Sequence, residues 1–139
     1  NYRVGEIRLP NNNLSGLPIV SDFSCLRTLD IRGNNLTGLT ISNCKNIDSL
    51  NVGDCANLTN LNIQDSEIST LITKGSQIRT YSINFEGLQS LEVFEVINTD
   101  ILLECINLKN NQNLKTVSFE KCNMGDVLFD GSTVKNVII

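Results

Sequence analysis

Apolar positions fall in a fixed frame along almost the whole chain: apolar, two residues, apolar, one residue, apolar, two residues, then a small or polar residue. Val4, Ile7, Leu9 and Asn12 show it first; Leu26, Leu29, Ile31 and Asn34 repeat it, as do Ile47, Leu50, Val52 and Cys55. The same frame recurs halfway between, in Leu36, Leu39, Ile41 and Cys44. The second apolar positions read Ile7, Leu17, Leu29, Leu39, Leu50, Leu61, Leu71, Tyr81, Phe94, Ile106, Val117, Val127 and Val137, mostly 10 to 12 residues apart, with a step of 13 from Tyr81 to Phe94. The second and third positions lie two apart, as on one face of a strand. A beat near 3.6 is absent and Gly and Asn are scattered throughout, so the pattern predicts strands and no helices.

A frame this regular predicts a solenoid, in which each coil buries its apolar side only against its neighbours. Because the frame runs twice per period of about 21 residues, each coil is expected to carry two short parallel strands on opposite sides. One sheet would hold the strands around Ile7, Leu29, Leu50, Leu71, Phe94, Val117 and Val137, the other those around Leu17, Leu39, Leu61, Tyr81, Ile106 and Val127. That makes about six coils in one domain over residues 1–139.

Five residues after each second position stands a small or hydrogen-bonding residue: Asn12, Asp22, Asn34, Cys44, Cys55, Ser66, Ser76, Glu86, Thr99, Asn111, Cys122 and Ser132. A side chain turned inward there can satisfy backbone groups where the strand ends. Glu86 is the odd member, and the residues from Glu86 to Ile106 break the frame, which suggests a local bulge or loop.

The pattern resembles the leucine-rich repeat, L-x-x-L-x-L-x-x-N/C-x-L. The stretch Leu26-Arg27-Thr28-Leu29-Asp30-Ile31-Arg32-Gly33-Asn34-Asn35-Leu36 meets every fixed position with Ile allowed for Leu. The resemblance covers residues 4 to 139 and is closest to the short nested repeats of bacterial surface proteins. It implies a right-handed solenoid and a recognition scaffold, not a particular ligand. The alternative fold is another parallel β-helix of the pentapeptide kind, suggested by the beat of five in Leu58, Ile63, Ile68, Thr73, Ile78 and Ile83, against which stand the large residues Leu61, Leu71 and Tyr81.

Composition narrows the chemistry. Hydrophobic residues make up 40% but aromatic residues only 5%, which suits a core of similar-sized slots that bulky rings would disturb. The net charge of −4 and the lack of a Lys/Arg run speak against nucleic acid and anionic membrane surfaces. No apolar run reaches the length of a membrane span. With no His and no phosphate-binding motif, the chain offers no Ser/His or Cys/His nucleophile, no cofactor signature and no metal-ligand spacing. Of the cysteines, Cys44, Cys55 and Cys122 occupy the inward slot, while Cys25 and Cys105 flank strands; free thiols are the expectation, ahead of a disulfide framework or a zinc site. Asp30, Asp54, Asp65 and Glu95 are the carboxylates a polysaccharide-degrading solenoid would use, but their offsets in the repeat differ. The sequons at Asn13, Asn35 and Asn57 recur every 22 residues and read as products of the repeat.

The residues between paired apolar positions should face outward. On the first sheet they are Arg8, Asp30, Asn51, Ile72, Glu95, Ser118 and Ile138; on the second, Pro18, Thr40, Asn62, Ser82, Asn107 and Leu128. The first column is chemically mixed, and its members Arg8, Asp30, Asn51, Ile72, Glu95 and Ser118 are the candidate binding face. The expectation is a non-catalytic module for protein recognition or adhesion, extracellular or at a bacterial cell surface, with no cofactor. The alternatives are a structural spacer in a longer repeat array and a carbohydrate-active solenoid. Uncapped ends at Val4 and at Val137-Ile138-Ile139 suggest a piece of a longer chain, or copies associating end to end.

Overall fold

The computed structural model describes residues 3–78, 85, 88–96 and 99–139, with side chains throughout except at 99–105, 123 and 124. Among the described residues there are strands and turns and no helix. Seven strands form one parallel sheet: β1 (Glu6–Arg8), β4 (Thr28–Asp30), β7 (Ile47–Asn51), β9 (Ile68–Ile72), β10 (Val93–Glu95), β12 (Thr116–Ser118) and β14 (Asn136–Ile138). They stack in chain order, so the sheet makes six coil-to-coil steps.

The opposite side is divided. There β3 (Ile19–Ser21), β6 (Gly38–Ser42) and β8 (Asn60–Gln64) form a three-stranded sheet, and β11 (Thr99–Asn107) pairs with β13 (Cys122–Leu128). A short pair, β2 (Ser15–Gly16) and β5 (Asn35–Leu36), covers the turn between the two sides. Every pairing is parallel. The chain is thus a parallel β-solenoid with strands on two sides, as the doubled frame predicts.

The core is the set of apolar rows. Leu29, Leu50, Leu71, Phe94 and Val117 stack in register and are buried, and Leu26, Ile47, Ile68, Leu91 and Leu114 form a second row beside them. Each such side chain removed from water contributes about 1.5–3 kcal/mol, and it does so only because the coils above and below are present. The rings do not disturb the stack. Phe85, Phe94 and Phe119 cluster, with centroids 4.7 Å apart for the first pair and 6.0 Å for the second. They lie where the coils are longest, at the 23-residue steps from Thr70 to Val93 and from Val93 to Thr116, so larger side chains fill a wider cross-section.

The first sheet keeps its register through that stretch. The irregularity expected between Glu86 and Ile106 is visible as a register shift between Thr99 and Leu102 in the pairing of β11 with β13. Tyr81, Ser82 and Glu86 lie outside the described residues, as does the side chain of Cys105.

One expectation fails in the first coil. The apolar frame places Leu17 inside, opposite Leu39, with Pro18 outward and Asp22 in the inward slot. Instead Val20 pairs with Ile41, Ile19 pairs with Thr40, and Leu17 and Ile19 are each 70% exposed. The strand has slipped by one residue, which exchanges inside for outside along its length. Pro18 has no N–H to give the ladder and holds Leu17 extended, so β3 begins after it, with the Pro18 carbonyl accepting from Thr40 N–H at 3.1 Å. Asp22 then falls at a corner, where its φ is 63°.

The corners share one device. Asn11, Gly33, Asp54, Gly75 and Lys121 on one side, and Asp22, Asn43, Asp65, Asn110 and Gly131 on the other, all have positive φ. Apart from Lys121 these are the residue types that enter the left-handed region most readily. Gly75 shows the close fit: a Cβ built there would lie 2.6 Å from Asp54 Oδ1 of the preceding coil.

The inward slot follows each corner. Asn34 Nδ2 donates to the carbonyls of Ile31 (2.6 Å) and Leu9 (2.7 Å), while its Oδ1 accepts from Asn12 N–H and Leu14 N–H, both at 3.0 Å. Cys55 Sγ reaches Ile31 O at 3.4 Å, and Ser76 Oγ donates to Val52 O and accepts from Cys55 N–H at 3.3 Å. On the other side Ser66 Oγ accepts from Cys44 N–H at 3.1 Å, and Asn111 Nδ2 donates to Phe85 O at 2.7 Å. Asn12, at the first coil, is exposed, and its amide turns back to Pro10 O at 2.8 Å.

Replacing Asn34 by Ala should lower unfolding free energy by about 2–3 kcal/mol, because backbone groups of two coils lose their partner inside the stack. Asn34→Ser should cost less, since serine already serves this slot at Ser66 and Ser76. Urea denaturation of the three proteins tests this; equal midpoints for Ala and the parent would reject the ladder's importance.

Candidate functional site

The first sheet places the candidate residues in one line. Arg8 pairs with Asp30, Asp30 with Asn51, Asn51 with Ile72, Ile72 with Glu95, Glu95 with Ser118 and Ser118 with Ile138. With strands about 4.8 Å apart, the row is roughly 29 Å long. Strand alternation puts a second outward column beside it: Glu6, Thr28, Ser49, Thr70, Val93, Thr116 and Asn136. Reading only the residue between the paired apolar positions missed this column, although the period of two implies it.

The row is less open than its outward direction suggests. Asp30 is 7% exposed and Ser118 3%, whereas Arg8 and Ile138 are exposed and Asn51, Ile72 and Glu95 are half-buried. Local hydrogen bonding explains part of this. Asp30 Oδ1 accepts from Arg32 N–H at 3.3 Å and Asn51 Oδ1 from Gly53 N–H at 2.9 Å, each capping the backbone two residues on, as Asn107 does for Lys109 at 3.1 Å. Ser118 Oγ lies 3.5 Å from Glu120 Oε1. Asp30 and Asn51 therefore end strands as well as facing outward.

Charge on this side is paired at short range. Arg8 Nε lies 2.9 Å from Glu6 Oε2, and the guanidinium holds the Glu6 carboxyl below the usual carboxylate range while the carboxylate raises Arg8. Arg32 Nη1 lies 3.6 Å from Asp30 Oδ2. Along one border, Arg27 reaches Asp48 at 3.2 Å and Lys115 reaches Glu92 at 2.8 Å, each pair bridging successive coils. The Arg8–Glu6, Arg27–Asp48 and Lys115–Glu92 pairs are solvent-exposed and add little to stability, whereas Asp30 is largely covered.

The four carboxylates singled out in the sequence do not converge. Asp54 and Asp65 stand at corners on opposite sides, with φ of 53° and 46°. Asp30 and Glu95 share the row but are three strand spacings apart, roughly 14 Å. That exceeds the ~6.5–9.5 Å separation of an inverting carboxylate pair and the ~5 Å of a retaining one. Among the described residues, no group of three or more Cys, Asp or Glu is arranged to hold a metal ion. No helix among them is long and apolar enough to cross a membrane.

On the second sheet, Thr40 and Asn62 are opposed as expected, and Asn107 opposes Leu128. Ile19, not Pro18, completes the first of these rows. The sequon residues form a column of coil-to-coil contacts: Asn57 Nδ2 donates to Asn35 Oδ1 at 2.5 Å, Thr37 Oγ1 to Gly16 O at 3.2 Å, and Thr59 Oγ1 to Thr37 O at 3.3 Å. Their role in the fold accounts for their recurrence.

Cys25, Cys44 and Cys55 are free thiols, with Cys44 and Cys55 buried. Burial pushes the Cys55 thiol up, partly offset by backbone hydrogen bonds from Gly33 and Asn34. A raised folded-state value means that the stability Cys55 contributes is intact below the unfolded thiol's pKa of about 8.5 and declines as pH rises beyond it. Thermal melts from pH 7 to 10 should therefore show a steeper alkaline decline for the parent than for Cys55→Ser. Parallel profiles would contradict this assignment.

Searches against protein-family models, curated proteins and solved structures found no match to this chain.

Proposed function

We propose that the chain is a non-catalytic recognition module of the leucine-rich repeat type, carried by an exported bacterial surface protein, that holds a protein partner on its seven-stranded sheet. The observation that carries this reading is the in-register row from Arg8 to Ile138, which sets basic, acidic, amide, aliphatic and hydroxyl groups side by side on a regular parallel sheet. Mixed chemistry of this kind suits a protein surface. A sugar-binding face would call for stacking aromatics, and the chain has no Trp. Size adds a constraint. A strip roughly 29 Å long and two outward columns wide is smaller than the ~800 Å² per partner of a standard interface. The partner must therefore also engage the border that carries Arg27, Asp48, Glu92 and Lys115, or bind weakly.

A structural spacer is the second reading. It is favoured by the local engagement of Asp30 and Asn51, whose acceptors already serve their own turns.

A photoreactive residue at position 95 should cross-link a discrete protein on the surface of the producing cell, and the adduct should disappear when Ile72 is changed to Lys. The same group at Gln64, on the other sheet, should not yield that adduct. Equal labelling from both positions, or none from position 95, would remove the proposed face and leave the spacer.

A further inference from the structure

A second surface, unrelated to the row above, has the makings of a binding groove. A hollow of about 430 Å³ crosses the three-stranded sheet, lined by Leu17, Ile19, Gly38, Thr40, Asn60 and Asn62. Its volume lies within the ~300–1,000 Å³ of ligand clefts. The slip in the first coil creates one wall, because it turns Leu17 and Ile19 out to 70% exposure. A methyl of Leu17 packs directly over Gly38, where a Cβ would come 2.5 Å from it and 3.2 Å from Asn60 O, so Leu17 leans onto the sheet.

The opposite wall is polar and unused. Asn60 and Asn62 point outward from β8, opposing Gly38 and Thr40. No hydrogen bond among the described residues engages the side chains of Thr40, Asn60 or Asn62. Asn34, Asn43, Asn46, Asn51, Asn57, Asn111 and Asn113 bond to neighbouring protein groups, whereas, among the described residues, the side chains of Asn11, Asn13 and Asn136, like those of Asn60 and Asn62, do not. Every residue lining the groove is uncharged, in a chain with 11 basic and 15 acidic residues.

We propose that this groove binds an uncharged, extended peptide segment, with an aliphatic side chain seated against Leu17 and Ile19 and its main chain hydrogen-bonded to Asn60 and Asn62. Three features select that occupant. The absence of charge matches a neutral ligand, since an ion would be desolvated here without a counter-charge. Asn60 and Asn62 are two residues apart on one strand, so their amides are spaced by about 6.6 Å, the interval at which an extended chain repeats its same-sided N–H and C=O groups. A carboxamide both donates and accepts, as a peptide group requires. The lining also lacks an aromatic platform of the kind on which a sugar ring stacks.

The test is heteronuclear NMR of the labelled chain titrated with the capped peptide acetyl-Ser-Leu-Ser-Leu-Ser-amide. Saturable shifts are expected at the Asn60 and Asn62 side-chain amides and at the Ile19 methyls. Ile19→Glu and the pair Asn60→Ala, Asn62→Ala change outward side chains only, and each should weaken binding by about tenfold or more. Replacing both leucines of the peptide by lysine should abolish the shifts. The proposal is overturned if these signals do not move up to about 1 mM peptide, if the variants respond as the parent does, or if cellopentaose moves them instead. Shifts centred on Ile72 and Glu95 would likewise reject the groove while favouring the first sheet.

Discussion

Every part of this molecule depends on satisfying backbone hydrogen bonds where one strand ends and the chain turns toward the next. In a two-sided solenoid the ladders take care of the strands, but each corner leaves N–H and C=O groups pointing into the cross-section, out of reach of water. The inward side chain after the corner meets that need. Asn34 does it most completely, joining Leu9, Asn12 and Leu14 of one coil to Ile31 of its own. Cys55, Ser66 and Ser76 do it with fewer bonds and smaller volume. Leaving such a group unpaired costs about 1–3 kcal/mol. Repeated at each corner, that cost would rival the stability of a whole domain, which is of the order of 5–15 kcal/mol.

The slot constrains its neighbour. For a side chain to turn inward just after a strand, the preceding residue has to reverse the chain sharply, and the left-handed conformation does so. Asn11, Asp54, Asp22, Asn43, Asp65 and Asn110 take that conformation, as do Gly33, Gly75 and Gly131. Asp54 and Asp65, which as isolated carboxylates suggested chemistry, are explained by this backbone geometry. The apolar rows come next: once corners fix the coil cross-section, Leu29, Leu50 and Leu71 fall on top of one another, and Phe94 with Phe85 fills the place where the coil is longer.

The apolar frame made the solenoid, the two-sided arrangement and the rows of the first sheet legible in the sequence, because each follows from a period that the stack cannot violate. The order Arg8, Asp30, Asn51, Ile72, Glu95, Ser118 is the direct consequence of that period. What the frame could not convey is exposure. Asp30 and Ser118 point outward and are still covered, since exposure depends on the reach of neighbouring side chains and on turn hydrogen bonds. The first coil departs from the frame because spacing alone takes no account of Pro18, whose missing N–H moves the strand start by one residue. The corner residues, by contrast, carried a usable signal: the position before each small-polar slot is Asn, Asp or Gly at most corners, and only the slot itself was read.

The same economy bears on function. Asn34, Cys55, Ser66, the corner residues and the sequon column are all committed to joining coil to coil, so their recurrence follows from the stack alone. Asp30 and Asn51 are half committed, facing outward while capping their own turns. Polar groups without such a commitment are therefore the informative ones, and they occur on both sheets. Thr40, Asn60 and Asn62 lie together beside Leu17 and Ile19, the two apolar side chains that the slipped strand turns away from the core. The irregular first coil and the two coils stacked on it thus form a surface that the scaffold's own requirements do not fully account for. In a repeat structure that is the place where selection for a ligand and selection for the fold can be told apart.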